Sequence, residues 1–236
     1  MLVKDKRSFI KGALLAITFL IVLIIMFLPY FGEGENALRA ADRLFNSIAK
    51  GSTNYFPDLL KKNKAFEGTA FDVTLKFKDQ QTAQQASKLF TSAGAKGKEE
   101  GAQLKVSGDL GVVMAAALKD SGAMFNNRDS ELQTKYGIPG RDALYVWWSA
   151  LKEMDKDLKK QTKFKEAAFL GDVVKKGVEV GYNFFKIQPE SASSKAGILS
   201  FSLIFYVIYT LWWGIAVLFL FEGFGLQMKA GAKKEV

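Results

Sequence analysis

The sequence contains no cysteine and no histidine. Without cysteine the chain cannot form a disulfide, offer a thiolate nucleophile, ligate an iron–sulfur cluster or attach a c-type haem. Without histidine it cannot build an imidazole metal site, supply an axial histidine to haem or form a Ser-His-Asp triad. These absences exclude most redox and hydrolytic machinery, so we expect no cofactor, no metal centre and no catalytic residue in this chain.

Charged residues are absent from two long apolar segments, one near each end of the chain. The first runs from Gly12 to Phe31 and the second from Ala196 to Phe221. Each has at least the roughly 20 residues that a helix needs to cross the hydrocarbon core of a bilayer. We therefore predict two transmembrane helices, at residues 10–31 and 196–222.

The first apolar segment also resembles a cleaved signal peptide, because basic residues precede it. Its length exceeds the roughly 7–15 residues of a signal-peptide core, and no small-residue cleavage site follows it directly. The short run ALRAA at 37–41 is a weak cleavage candidate that lies inside an amphipathic helical pattern. An uncleaved anchor is therefore the favoured interpretation.

Basic residues stand at the outer end of each segment. They are Lys4, Lys6, Arg7 and Lys11 at the first, and Lys229, Lys233 and Lys234 at the second. Because basic flanks resist translocation, we expect both termini in the cytoplasm, in the inner membrane of a bacterium. The expected order is a cytoplasmic N-terminus at 1–9, a periplasmic domain at 32–195 between the two spans, and a cytoplasmic tail at 223–236.

The net charge of +9 is spread unevenly along the chain. The two ends carry nearly half of the excess, and the middle is only mildly basic. A basic chain often signals a nucleic-acid partner, but the expected periplasmic position of the middle argues against one. We expect the lipid bilayer and other membrane or periplasmic proteins as partners, and no nucleic acid.

Apolar alternation in the middle of the chain predicts a small sheet. Residues 71–78 and 102–107 alternate between apolar and polar side chains, as strands with one buried face do. A helix is expected after each strand, the first capped by Asp79 and the second beginning near Asp109. A right-handed crossover between the two strands predicts that they are parallel.

Helical periodicity dominates the rest of the middle. Apolar residues recur at three- and four-residue spacing in 36–50, 144–158 and 165–186. The predicted fold class is therefore α+β: two transmembrane helices flank a mainly helical domain with a small β-sheet. Within that domain a strand-helix-strand-helix unit is followed by long helices.

Three aromatic residues on one predicted helix are candidates for a ligand pocket. Tyr145, Trp147 and Trp148 can form part of an aromatic pocket for a cationic or apolar ligand. Both tryptophans also fall on the apolar stripe that includes Leu144 and Leu151, which favours core packing instead. The sequence favours the core interpretation and marks this helix as the place for any pocket.

The second apolar segment carries candidate partner contacts. Trp212 and Trp213 lie near its middle, although tryptophan usually lies at membrane surfaces. Thr210 and Gly214 have the four-residue spacing of small residues that lets helices approach closely. Because adjacent residues lie about 100° apart on a helix, one indole is expected to pack on the first span and the other on a different subunit.

Two further features bear on helix contacts. Gly12 and Ala16 give the first segment a small-residue pair like that of the second. Glu222 lies at the expected inner edge of the membrane, where a carboxylate is ordinarily interfacial and is otherwise a partner contact.

Three functions remain open from the sequence. The favoured one is a non-catalytic accessory or scaffold subunit of a bacterial inner-membrane complex, which presents its periplasmic domain to partner proteins. The alternative is a periplasmic ligand-sensing module coupled to a separate signalling or transport protein. An enzyme that uses carboxylates and lysines is the least favoured.

Overall fold

Two long apolar helices lie near the ends of the chain. In a computed structural model, which describes residues 3–32 and 34–226, helix α1 spans Lys6–Phe27 and helix α10 spans Ala196–Gly223. Asp5 caps α1, because its carboxylate accepts hydrogen bonds from the backbone N–H groups of Arg7 and Ser8. Both helices are long and apolar enough to cross a membrane. The C-terminal lysines used to predict orientation, and most of the predicted cytoplasmic tail, lie outside the described residues.

Small residues let α1 and α10 pack closely against each other. A Cβ atom at Gly12 would lie 2.6 Å from the backbone nitrogen of Leu220, and one at Gly223 would lie 2.7 Å from the Cα of Phe9. The carbonyl oxygen of Gly223 also accepts hydrogen bonds from the backbone of Lys4 and Asp5. The two helices therefore form a closely packed antiparallel pair, because larger side chains at these glycines would separate the backbones.

The chain divides into two compact units. One contains residues 1–48 and 190–236, and the other contains residues 49–189. The boundary falls within helix α2, which spans Ala37–Ser52. The second unit is called the domain below.

The sheet of the domain has three strands among the described residues. They are β1 at Ala70–Lys76, β2 at Lys96–Glu100 and β3 at Gln103–Asp109, in the spatial order β1-β3-β2. β3 is antiparallel to both neighbours, with Val73 opposite Val106 and Leu75 opposite Leu104.

The prediction that the two alternating strands are parallel is therefore wrong. The polar segment just before the second alternating run forms β2, and a turn at Gly101, whose φ is +63°, leads it into β3. The crossover through the intervening helix joins β1 to β2, which run in the same direction with β3 inserted between them. Every residue of β2 is exposed, so this edge strand has no apolar alternation by which the sequence could reveal it.

The predicted cap at Asp79 is present, and Asp109, near which the second helix was expected to begin, caps that helix. Helix α4 spans Gln80–Ser92, and Asp79 accepts a 2.7 Å hydrogen bond from the Thr82 N–H. Helix α5 spans Leu110–Phe125, and Asp109 accepts one of 3.0 Å from the Val112 N–H. Hydrogen bonds from Thr82 hold the pKa of Asp79 below its usual value. The apolar faces of these helices and of the sheet form one continuous core.

The remaining helices surround that core. They are α3 at Phe56–Asn63, α6 at Asp129–Tyr136, α7 at Gly140–Lys160, α8 at Phe164–Val173 and α9 at Glu179–Asn183. A π-helical turn at Val174–Val178 joins α8 to α9. Helix α6 was not predicted, because its residues are polar with little amphipathic pattern.

One buried carboxylate ties α5, α6 and α7 together. Asp120 accepts hydrogen bonds from the Tyr136 hydroxyl at 2.5 Å, the Trp147 indole Nε1 at 2.9 Å and the Lys135 Nζ at 3.0 Å. Its side chain is almost fully buried. A buried carboxylate is tolerated only when such donors replace water, so these contacts fix the three helices relative to one another.

Burial raises the pKa of Tyr136 above its usual value of 10.0, and the hydrogen bond to Asp120 adds to this effect. Below about pH 10 the phenol is protonated in both the folded and the unfolded chain, and its stabilisation is complete. Above that pH the unfolded chain releases the proton while the folded chain keeps it. The contribution of Tyr136 to stability must therefore fall as the pH rises above 10.

We expect Tyr136→Phe to lower the free energy of unfolding by about 1–3 kcal/mol at neutral pH, because Asp120 loses a buried donor. The difference from the wild type should shrink by roughly 1.4 kcal/mol per pH unit above pH 10. Unfolding of the full chain in detergent, followed by circular dichroism, measures both effects. Tyr145→Phe is the matched control, since that ring is exposed; a difference that stays constant to pH 11 would contradict the account.

Candidate functional site

The adjacent tryptophans of α7 occupy different environments. Trp147 is fully buried, donates to Asp120 and meets the ring of Phe90 edge-on at 5.3 Å. Trp148 is half-buried, and its Nε1 donates a 2.9 Å hydrogen bond to Oε1 of Glu179. A rotation of about 100° per residue separates the two rings, so Trp147 lies inside the core, whereas Trp148 packs against the edge of the core and stays partly exposed.

Trp148 borders a cavity of about 340 Å³ between α7 and α9. Its walls, called the aromatic cleft below, are formed by Leu144, Tyr145, Trp148, Val178, Glu179, Tyr182 and Asn183. Two of the three predicted pocket residues, Tyr145 and Trp148, lie in this wall. Trp147 does not, because it is held in the core.

The rings of the cleft are ordered by contacts with each other and with cations. Tyr145 and Trp148 stack with their centroids 5.8 Å apart. The guanidinium of Arg141 lies 4.6 Å from the centroid of Tyr182, and the ammonium of Lys152 lies 4.4 Å from that of Trp148. Both distances are within the range of cation–π attraction, so the faces of these rings are electrostatically suited to positive charge.

Close packing on α5 positions the other wall of the cleft. A Cβ atom at Gly177 would lie 2.8 Å from Cδ2 of Leu118, and one at Gly181 would lie 2.5 Å from the carbonyl oxygen of Ser121. These two glycines let the backbone of the π turn and of α9 press against α5. Glu179 lies between them in sequence and lines the cleft, so its position is set by a tightly packed element.

The opposite side of the Tyr145–Trp148 wall borders a second cavity, of about 370 Å³. Its charged residues, which define the lysine groove, are Lys76, Lys78, Asp79, Lys152, Glu153 and Lys156. Glu153 and Lys156 form an ion pair with a separation of 2.5 Å. The same aromatic wall thus faces an excess of positive charge on one side and a single carboxylate on the other.

A buried lysine that the sequence did not reveal joins two segments of the domain that are far apart in the chain. Lys50 is only 3% exposed, and its Nζ donates to the carbonyl oxygens of Ile187 at 2.6 Å and Phe184 at 3.0 Å. It also lies 4.9 Å from the centroid of the Phe125 ring. Burial lowers the pKa of Lys50. The side chain links the end of α2 to the residues that follow α9, and its neighbours in sequence give no sign of this role.

The predicted partner-contact residues of α10 differ in what they touch. Trp212 donates from Nε1 to the carbonyl oxygen of Leu15 in α1 at 3.1 Å. Trp213 is 42% exposed, and its ring centroid is 4.7 Å from that of Phe19. Both indoles therefore touch α1, and Trp213 also has an uncovered surface.

The small residues near these tryptophans do not contact α1. Thr210 is exposed and donates its hydroxyl to carbonyl oxygens of its own helix, those of Tyr206 and Val207. A Cβ atom at Gly214 would have no heavy atom within 4 Å. Glu222 is also exposed. This face of α10 is therefore uncovered in the described chain.

Sequence analysis missed Glu179 and Tyr182 as residues of the cleft. Their three-residue spacing places them on one face of a helix, which is visible in the sequence. That this face meets α7 depends on the two glycines packed against α5, and no local pattern indicates it.

Among the described residues, no group of three or more acidic side chains is placed to hold a metal ion.

Comparisons with known proteins give no family for this chain. No protein-family model, no curated protein and no solved structure matches it.

The same substitution at the two adjacent tryptophans tests the division between core and cleft. We expect Trp147→Phe to lower the free energy of unfolding by about 2–4 kcal/mol, because it opens a cavity and removes a donor to buried Asp120. Trp148→Phe should cost only about 0.5–1.5 kcal/mol, since its lost partner is partly solvated. Thermal unfolding of both variants in detergent measures the difference, and equal losses would contradict the assignment.

Proposed function

We propose that the protein is a non-catalytic ligand-recognition module of the bacterial inner membrane, coupled to a separate signalling or transport protein. The observation that carries this proposal is the aromatic cleft. Its volume of about 340 Å³ lies at the small end of the roughly 300–1,000 Å³ typical of small-molecule sites. Apolar and aromatic walls with a few polar groups are also typical of such sites.

The π turn beside the cleft supports the same proposal. Turns of this kind are rare and occur frequently at functional sites. Here the turn at Val174–Val178 directly precedes Glu179, and Val178 is itself part of the cleft wall. A ligand in the cleft would therefore contact both the turn and the helix that follows it.

The connections of the domain offer a route from ligand to membrane. Residues 184–195 join α9 to α10 along the chain, and α2 leads into the domain from α1. Lys50 holds the end of α2 to Phe184 and Ile187 within the domain. Movement of α9 on ligand binding would then affect both segments of chain that lead to the apolar helices, while a separate protein supplies the output.

The proposed membrane arrangement follows from α1 and α10. In this arrangement both helices cross the inner membrane, both termini are cytoplasmic and residues 32–195 are periplasmic. The basic residues at the start of α1 support it, because such flanks resist translocation.

An accessory or scaffold subunit is the second candidate function. The observation that favours it is the uncovered face of α10 at Thr210, Trp213 and Gly214, which leaves room for a helix of another subunit. Both functions require a partner protein in the membrane, and they differ in whether the cleft binds a ligand.

The natural absence of cysteine makes the topology directly testable. Gln103→Cys places a thiol at an exposed position of β3, and Leu226→Cys places one just beyond α10, with no change of charge in either case. A membrane-impermeant maleimide applied to cells with a permeabilised outer membrane should label position 103. Position 226 should be labelled only after lysis. The reverse pattern would refute the proposed orientation.

Purification from the native membrane in mild detergent tests the need for a partner. We expect the protein to co-purify with a specific membrane protein, and Trp213→Leu to weaken this association at unchanged membrane level. Trp212→Leu is the matched variant. The indole of Trp212 is hydrogen-bonded to α1, so its removal should leave the partner bound. Isolation of the wild-type protein alone would contradict both candidate functions.

A further inference from the structure

We propose that the aromatic cleft binds a small organic ammonium ion, with a methylated ammonium group against the rings and Glu179. This inference deepens the ligand-recognition function proposed above and rests on it. It assigns the chemical class of the ligand from the charge, the rings and the hydrogen-bonding groups of the cleft wall.

Glu179 sets the charge of the cleft. It is the only residue with a formal charge at neutral pH among the seven that line the cavity. Its Oε1 accepts the hydrogen bond from Trp148, which holds the carboxylate in the wall. In the described chain Glu179 forms no ion pair, whereas Asp155 and Asp172, on the neighbouring helices, pair with lysines at 2.7 Å and 3.0 Å. Glu179 also borders a neighbouring cavity lined by Lys152, Lys156, Lys159 and Lys175, but in the described chain it forms a direct ion pair with none of them. A positively charged ligand in the aromatic cleft would supply such a direct partner.

The rings favour a weakly hydrated cation. Tyr145, Trp148 and Tyr182 contribute three aromatic side chains to a small cavity, and two of these rings already attract cations of the protein itself. Aromatic side chains of this kind recognise quaternary ammonium groups through the negative faces of their rings. Arg141 and Lys152 already lie against two of these rings, so the ammonium group of a ligand would contact the ring surfaces that these side chains leave free.

Other positively charged ligands fit less well. A calcium or magnesium ion requires about six or more oxygen ligands, whereas the side chains of the cleft offer one carboxylate, one amide and two phenols. A primary ammonium ion is strongly hydrated and needs partners for three donors, so it gains less from aromatic contact than a methylated ammonium group does. A methylated ammonium group has few or no donors, so aromatic contact and one carboxylate suffice.

An anionic ligand would be directed elsewhere. Four lysines lie in the groove on the opposite side of the Tyr145–Trp148 wall. One of them, Lys152, also lies over Trp148 and competes with a cationic ligand for the negative potential of that ring. Removing the charge of Lys152 should therefore strengthen the binding of a cation and weaken that of an anion.

The test uses choline and its neutral isostere 3,3-dimethyl-1-butanol as probes of the purified full chain in detergent. The two molecules have nearly the same shape and differ in the charge of the central atom. Isothermal titration calorimetry should show binding of choline, with the neutral probe at least about tenfold weaker. Equal binding of the two would overturn the inference of a cation while leaving the cleft as a recognition site.

Three variants connect binding to the cleft. Glu179→Gln keeps an oxygen acceptor for Trp148 and removes the charge, so choline affinity should fall at least about tenfold. Glu166→Gln, in α8 and outside the cavity wall, is the matched control and should leave affinity unchanged. Lys152→Gln should raise choline affinity by about two- to fivefold. Unchanged affinity in Glu179→Gln would place the site elsewhere and overturn the proposal.

Failure of the inference and failure of the proposed function give different results. If choline does not bind, the assignment of ligand class is wrong, whereas ligand recognition fails only if extracts of the native periplasm also leave the thermal stability of the protein unchanged. Stabilisation by such an extract that is lost in Trp148→Phe would support a ligand of another class in the same cleft.

Discussion

The hydrogen bond from Trp147 to Asp120 determines which side of α7 faces the core. It joins a fully buried indole to a buried carboxylate at 2.9 Å, and without Asp120 the indole N–H would be left unpaired in the core. With Trp147 fixed, the helical rotation of about 100° per residue places Trp148 at the edge of the core, where it is partly exposed. The aromatic cleft therefore depends on a contact that lies entirely outside it.

The same constraint extends to the far wall of the cleft. Asp120 and Ser121 are neighbours in α5, and α9 packs on α5 through Gly181 at the carbonyl of Ser121. One helix thus holds both the residue that orients α7 and the surface that positions α9. Glu179 and Trp148 meet because α7 and α9 both contact adjacent residues of α5, namely Asp120 and Ser121. This gives the site a rigid frame in a chain that has no disulfide to provide one.

Local patterns predicted those parts of the fold that depend on neighbouring residues. The cap at Asp79, the start of a helix near Asp109 and the alternating strands β1 and β3 are of this kind, because capping and burial on one face are visible within a few residues of sequence. Strand β2 has no recognisable sequence pattern, since it is exposed throughout and forms through its pairing with β3. The antiparallel order of the sheet followed from that missed strand.

The candidate site shows the same division. Sequence periodicity identified α7 and its aromatic residues, but it could not separate Trp147 from Trp148, because both positions fit an apolar stripe. The partner of Trp147 is a single aspartate on α5, and the partner of Trp148 is a glutamate beyond a π turn. In the apolar helices, the small pair Thr210 and Gly214 has the spacing of a helix contact, yet α1 and α10 approach each other closely at Gly12 and Gly223 instead.

The central claim is that Trp148, and not its neighbour Trp147, forms the ligand-responsive wall of a cleft. Fluorine NMR of the full chain with 5-fluorotryptophan incorporated at its four tryptophans tests it most directly. Each resonance is assigned by a single Trp→Phe substitution, or by elimination where the variant does not fold, and choline is then titrated. The account predicts that the Trp148 resonance shifts with choline and broadens with a soluble paramagnetic quencher, while Trp147 does neither. A shift at Trp147, or no shift at any tryptophan, would contradict it.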